Sequence, residues 1–146
     1  MSEEENKAVM RRILDDVYVG GQFDLLEELL SPNFVNHNVL GTGEAVDSIG
    51  IDKVKQELKG IHLAMSGITM DTIHLLAEGD YVVVYAISKG THTGQFFGVP
   101  GTGKPVQTAA MTIARMEDGK MAERWNLIDL YGTLQQIGAI PGTSQS

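Results

Sequence analysis

A chain of 146 residues, 42% hydrophobic and 21% charged, suits one globular domain with one core. Its formal charge of −8 argues against a nucleic-acid partner, whose phosphates need Lys and Arg, and no apolar run approaches the roughly 20 residues of a membrane span. The lack of cysteine excludes disulfides, thiolate nucleophiles and Cys-containing zinc sites together.

The acidic start, MSEEENK, predicts no export signal and hence a cytoplasmic protein. Glu3 to Val19 reads as a helix, with Val9, Ile13 and Val17 on one stripe and Glu3–Glu5 suited to the N-terminal dipole. Gly20-Gly21 stops it. A short second helix follows, with Phe23, Leu26 and Leu30 inward, ended by Ser31-Pro32. Phe34–Val39 is extended, and Gly41–Gly50 is expected to be a polar loop. A third helix, Ile51 to Met65, is marked by Val54, Leu58, Ile61 and Met65 at helical spacing. After Gly67 the period changes to two. Ile68–Ala77 and Tyr81–His92 form strands around a turn at Glu78-Gly79-Asp80, and Thr93–Lys104 is a loop. Val106–Glu117 and Lys120–Asp129 are strands, Leu130–Ile137 is a closing helix and Pro141–Ser146 a tail. Helices followed by antiparallel strands give an α+β domain whose helices cover one face of a curved sheet, with an ordered core over about 5–140.

Asp118-Gly119 is the strongest two-residue hairpin signal, because both central positions of a type I′ turn need positive φ. The register it implies sets Met116 opposite Met121, Ala114 opposite Glu123, Thr112 opposite Trp125, Ala110 opposite Leu127 and Thr108 opposite Asp129. Those residues share one face by alternation. Small residues opposite a Trp and two carboxylates leave room for a packed helix or a ligand, and Asp129, an acid ending an otherwise apolar face, must be paired or functional. The other face, with Met111, Ile113 and Ile128 among Gln107, Arg115, Arg124 and Asn126, has the mixed character of an interface.

Gly98-Val-Pro-Gly-Thr-Gly-Lys104 has the spacing of a phosphate-binding loop. Pro105 stands where a Ser/Thr hydroxyl is needed, and a strand follows instead of a helix, so it reads as a hairpin connection. Of four histidines, none forms an i, i+4 helical pair or an HxH, which speaks against a metal site. His62 and His74 read as incidental. His37, in a polar cluster beside a glycine loop, and His92, at a strand end, sit where ligand groups gather.

The run Gly90–Lys104, then Glu117-Asp-Gly-Lys, Glu123-Arg-Trp-Asn-Leu-Ile-Asp129 and Leu134-Gln-Gln-Ile-Gly138, resembles the SnoaL-like polyketide cyclase (ester cyclase) family, as does Phe34-Val-Asn-His37. The resemblance implies a nuclear-transport-factor-2-like cone, a curved sheet wrapped around helices with a deep apolar cavity. It implies ring closure by intramolecular aldol condensation of a hydrophobic polyketide-like substrate, without cofactor or metal. Asp129 matches the family's acid/base, and His92 and His37 are candidates to assist it. Trp125, Asn36, Phe34, Thr108, Ala110, Thr112 and Phe96 are candidate substrate contacts, and back-to-back homodimers are the expected assembly. A hydroxylase, a dehydratase or a non-catalytic binding protein on the same fold is the alternative.

Overall fold

In a computed structural model, residues 1–39 and 45–141 are described; part of the expected Gly41–Gly50 loop and nearly all of the Pro141–Ser146 tail lie outside them. The first helix begins with a serine N-cap: Ser2 Oγ accepts from the Glu5 backbone N–H at 3.0 Å. It runs as α1, Glu3–Arg12, and continues as a wider π-helix over Ile13–Val19, so its total span matches the periodicity. Gly20 ends it, since a Cβ there would stand 2.5 Å from the Asp16 carbonyl oxygen. A short 3₁₀ turn leads into α2, Leu26–Leu29. Val17, Met10, Leu26 and Leu29 are buried against the sheet.

The sheet has six strands: β1 (Leu30–Val39), β2 (Ala45–Ile49), β3 (Met65–Glu78), β4 (Tyr81–His92), β5 (Pro105–Glu117) and β6 (Lys120–Ile128). Their order is β2-β1-β6-β5-β4-β3, and only the β1–β6 pair is parallel. Helix α3 (Ile51–Ala64) lies between β2 and β3, and α4 (Leu130–Gln136) follows β6. This is the expected α+β arrangement, with helices on the inner face of a mixed sheet. Register shifts in β1, β3 and the β5–β6 pair bend the strands. Among the described residues no helix is long and apolar enough to cross a membrane.

Two expectations need correction. Residues 45–49, read as loop, form β2 and pair antiparallel with β1, Asn36 opposite Ser48 and His37 opposite Asp47. More consequentially, the hairpin is not regular. Asp118 and Gly119 take φ of 51° and 78°, as a type I′ turn requires, and Met116 does face Met121. Ala122 is then an extra residue: Arg115 pairs Glu123, Ala114 pairs Arg124, Ile113 pairs Trp125, Thr112 pairs Asn126 and Ala110 pairs Ile128. One inserted residue turns every later side chain of β6 to the opposite face. Met121 and Ala122 are both buried, and burying two adjacent residues of a strand demands such a bulge.

Candidate active site

The bulge decides what the inner face carries. Thr112 and Ala114 face inward and are buried, next to Val82 and Val84 of β4. Their β6 neighbours are Arg124 and Asn126, while Glu123, Trp125 and Leu127 point outward. On β1, Phe34 and Asn36 face inward, each at most 2% exposed.

Arg124 is the centre of the inner group. Its Nε–H donates to Asn36 Oδ1 at 3.1 Å. A guanidinium can only donate, so this contact fixes the Asn36 amide with its nitrogen turned the other way. Thr112 Oγ1 donates to Asn126 Oδ1 at 2.7 Å, which again leaves an amide nitrogen free of that bond. Ser48 of β2 hydrogen-bonds Glu57 of α3, and Tyr18 Oη lies 3.2 Å from Ser88 Oγ of β4. Burial pushes the Arg124 guanidinium down from its ordinary value, opposed by the charge of Glu57 and then of Tyr18. Among the described residues, no carboxylate comes within ion-pair distance of Arg124. Arg124, Asn126, Glu57 and Tyr18 keep partial solvent access although they face inward. The helix-covered side of the sheet therefore carries a cluster of polar side chains beside the apolar core of Phe34, Val82, Val84 and Ala114.

The remaining sequence candidates scatter. Asp129 is exposed and caps α4: its Oδ1 accepts from Gly132 N–H at 2.9 Å. A Cβ at Gly132 would collide with that carboxylate, so the Asp129–Gly132 pair has a local structural reason. Asp129 also borders a shallow depression of about 210 Å³ with Tyr85, Met111 and Leu127, on the outer face. Trp125, 39% exposed, stacks on His37 outside the sheet, with centroids 5.2 Å apart.

His37 sits between two carboxylates, Asp47 at 2.9 Å and Glu123 at 2.7 Å. The Glu123 hydrogen bond, then that of Asp47, raises its pKa; the His37 bond, then that of Arg115, lowers that of Glu123. A second outer depression, about 430 Å³, lies beside this network and includes Arg115 and Glu123.

His92 is fully buried on the inner face at the far end of β4. Its Nδ1 accepts from the Thr102 backbone N–H at 3.3 Å, which puts the ring proton on Nε2, a buried atom without a partner among the described residues. Phe96 packs edge-on against it. Thr108 Oγ1 bonds Thr133 Oγ1 of α4 at 2.7 Å, and Ala110 borders the smaller depression.

The three catalytic candidates do not converge. Asp129 N–H bonds Ala109 O, and Ala109 pairs Ile87. His92 is thus about 16 Å further along β4 at roughly 3.3 Å per residue. His37 pairs Trp125, about 13 Å from Asp129 on the same count.

A model of the SnoaL-like polyketide cyclases matches residues 8–137. The chain belongs to that family. The SnoaL-like domain here is 24% identical over 119 residues to the nogalonic acid methyl ester cyclase of Streptomyces nogalater, covering 81% of this chain and 87% of that one. Its fold superposes with TM-score 0.85 on a Jannaschia sp. CCS1 protein proposed to be a SnoaL-like polyketide cyclase, at 25% identity and 95% coverage of both chains. It superposes equally, at 24% identity, on a Streptomyces galilaeus protein proposed to be a hydroxylase, covering 99% of this chain and 87% of that one.

Sequence reasoning missed Arg124, Asn126, Glu57, Ser48 and Tyr18. Two signals were present. Met121-Ala122 breaks the alternation of β6, and Glu57 is an acid three residues after Val54 and four before Ile61, on the inward stripe of α3.

Proposed function

We propose that this SnoaL-like domain closes a ring by intramolecular aldol condensation of a hydrophobic polyketide-like substrate, with no cofactor and no metal, on the helix-covered face of its sheet. The observation that carries the reading is the inward-facing polar set Asn36, Glu57, Arg124 and Asn126. Membership of a cyclase family supports it. In this reading Glu57 takes a proton from the activated carbon between two carbonyls. The enolate carbon attacks a second carbonyl of the same molecule, forming the ring C–C bond, and the proton returns to the new alkoxide oxygen. The amide nitrogens of Asn36 and Asn126, whose oxygens are already engaged, donate to the enolate oxygen. Donors fixed before reaction cost no reorganisation when charge develops.

A second reading keeps Asp129 as the base, working from the small apolar depression it borders. Proton–deuterium exchange at the central carbon of benzoylacetone, followed by NMR in D₂O, separates the two. On the Glu57 reading the protein accelerates exchange, Glu57→Gln costs about 10²–10⁴-fold, and Asp129→Asn, which preserves a good helix cap, leaves the rate near wild type. The reverse pattern moves the chemistry to Asp129. Binding without any acceleration makes the domain a non-catalytic binder.

Association through the outer face as a homodimer is part of the same proposal. It is motivated by Leu76, Met111, Ile113, Trp125 and Leu127, which leave large apolar surface exposed on neighbouring strands.

A further inference from the structure

One row of the outer face runs Asp47, His37, Trp125, Ile113 across four neighbouring strands, each residue in register with the next. Trp125 stacks on the His37 ring, 20° from parallel, and is 39% exposed, while Ile113 is 44% exposed. A molecule that covers these two apolar side chains covers His37 with them.

The charges on that row cancel only while His37 is protonated. Its Nδ1 lies 2.9 Å from Asp47 Oδ1 and its Nε2 2.7 Å from Glu123 Oε2. A carboxylate can only accept, so both contacts are hydrogen bonds when both ring nitrogens carry protons. Arg115 holds the other oxygen of Glu123 at 3.1 Å and reaches Glu117 at 3.5 Å. Glu117 ends β5 and keeps 60% of its side chain exposed. The balance that matters on covering the row is therefore Asp47 and Glu123 against His37 and Arg115. A chain of net charge −8 repels a copy of itself, except across a face where apolar side chains adjoin charges that cancel.

We propose that a second copy covers this row and that the proton on His37 controls the homodimer, which associates while the imidazole is charged and loosens when it is neutral. The inference rests on the outer face being the homodimer face. A neutral ring keeps one of its two hydrogen bonds and leaves one carboxylate in each copy without a counter-charge. Enclosing such a charge is costly. The dimer thus binds more protons than the separate chains, and association weakens as pH rises. The hydrogen bond from Glu123 and then that from Asp47 already raise the His37 pKa in the single chain.

The test is a dilution series followed by sedimentation, from about pH 6 to about pH 8, a range centred near the ordinary imidazole value. The wild-type dimer Kd is expected to rise at least about tenfold across it, with no more than one proton lost per copy. His37→Gln should dimerise with a Kd that does not change over the range. Asp47→Asn removes the carboxylate left unbalanced, so its Kd at pH 8 should be at least as low as that of the wild type at pH 6. His74→Gln, which alters the imidazole stacked on Tyr85, should keep the wild-type dependence. A wild-type Kd that is constant or falls with pH overturns the proton control and leaves the homodimer standing. Retention of the dependence in both His37→Gln and Asp47→Asn assigns it to another group and also overturns the proposal. A wild type that is monomeric throughout overturns the homodimer and this inference together. The two variants act on different residues, so either one decides the assignment where the other fails to fold.

Discussion

The two faces of β6 hold the same ingredients under opposite conditions. Outside, Arg115 reaches Glu123 at 3.1 Å, Glu123 reaches His37 at 2.7 Å, and His37 reaches Asp47 at 2.9 Å. Each charge there has a partner, and all keep contact with solvent. Inside, Arg124 has one neutral acceptor, and Glu57 is bonded to a serine rather than to the arginine. The outer set resembles many surface networks, worth little individually and already satisfied. The inner set keeps a similar partial solvent access but has fewer charged partners.

The largest expected break concerns what covers the outer face. If a second copy covers it, sedimentation at micromolar concentration gives a mass near twice 15.8 kDa for the wild type, and the double variant Ile113→Lys, Leu127→Lys sediments at 15.8 kDa with an unchanged circular-dichroism spectrum. A wild type that is monomeric makes the face a solvated one.

Packing supplies a smaller contrast on adjacent residues of β5. Ala114 is fully buried between Val82 and Arg124, whereas Ile113 faces out. Ala114→Leu should cost about 1–3 kcal/mol in urea unfolding, the usual range for overpacking. Ile113→Val in the monomeric background should stay within about 0.5 kcal/mol. Comparable losses at both positions would contradict the assignment of the two faces of β5.

The smallest effect is a pH dependence on the outer face. His37 has a folded pKa above its ordinary value of about 6.5. Its contribution is full below about pH 6.5 and fades as pH rises through the raised value. Glu123 has a folded pKa below its ordinary value of about 4.3, so its contribution holds above that pH and is lost as pH falls further. The network is therefore worth most between about pH 4.3 and 6.5. His37→Gln should lower stability there by no more than about 1 kcal/mol and flatten the decline from pH 6.5 to 8. A decline of unchanged slope in His37→Gln assigns the titration to another group.

Local chemistry made much of this molecule legible in the sequence. The Glu3–Val19 helix, the Tyr81–His92 strand, the Asp118-Gly119 turn and the family resemblance all rest on residues close together in the chain, where propensity, alternation and turn geometry act directly. Thr112 was legible as an inward residue for the same reason, since it obeys the period of its own strand. The strand β2 was not, because its sequence is glycine-bounded and polar, and only pairing with β1 makes it extended. Nor was the face of β6. The turn fixes register only as far as the first irregularity, and Ala122 is unpaired because Met121 and Ala122 are both drawn into the core. That is a tertiary decision, and through the period-two geometry of a strand it moved Trp125 outside and Arg124 inside. Asp129 shows the same division. Its place at the mouth of a helix can be read from Asp129 and Gly132 alone, but the direction its carboxylate faces follows from a bulge seven residues earlier.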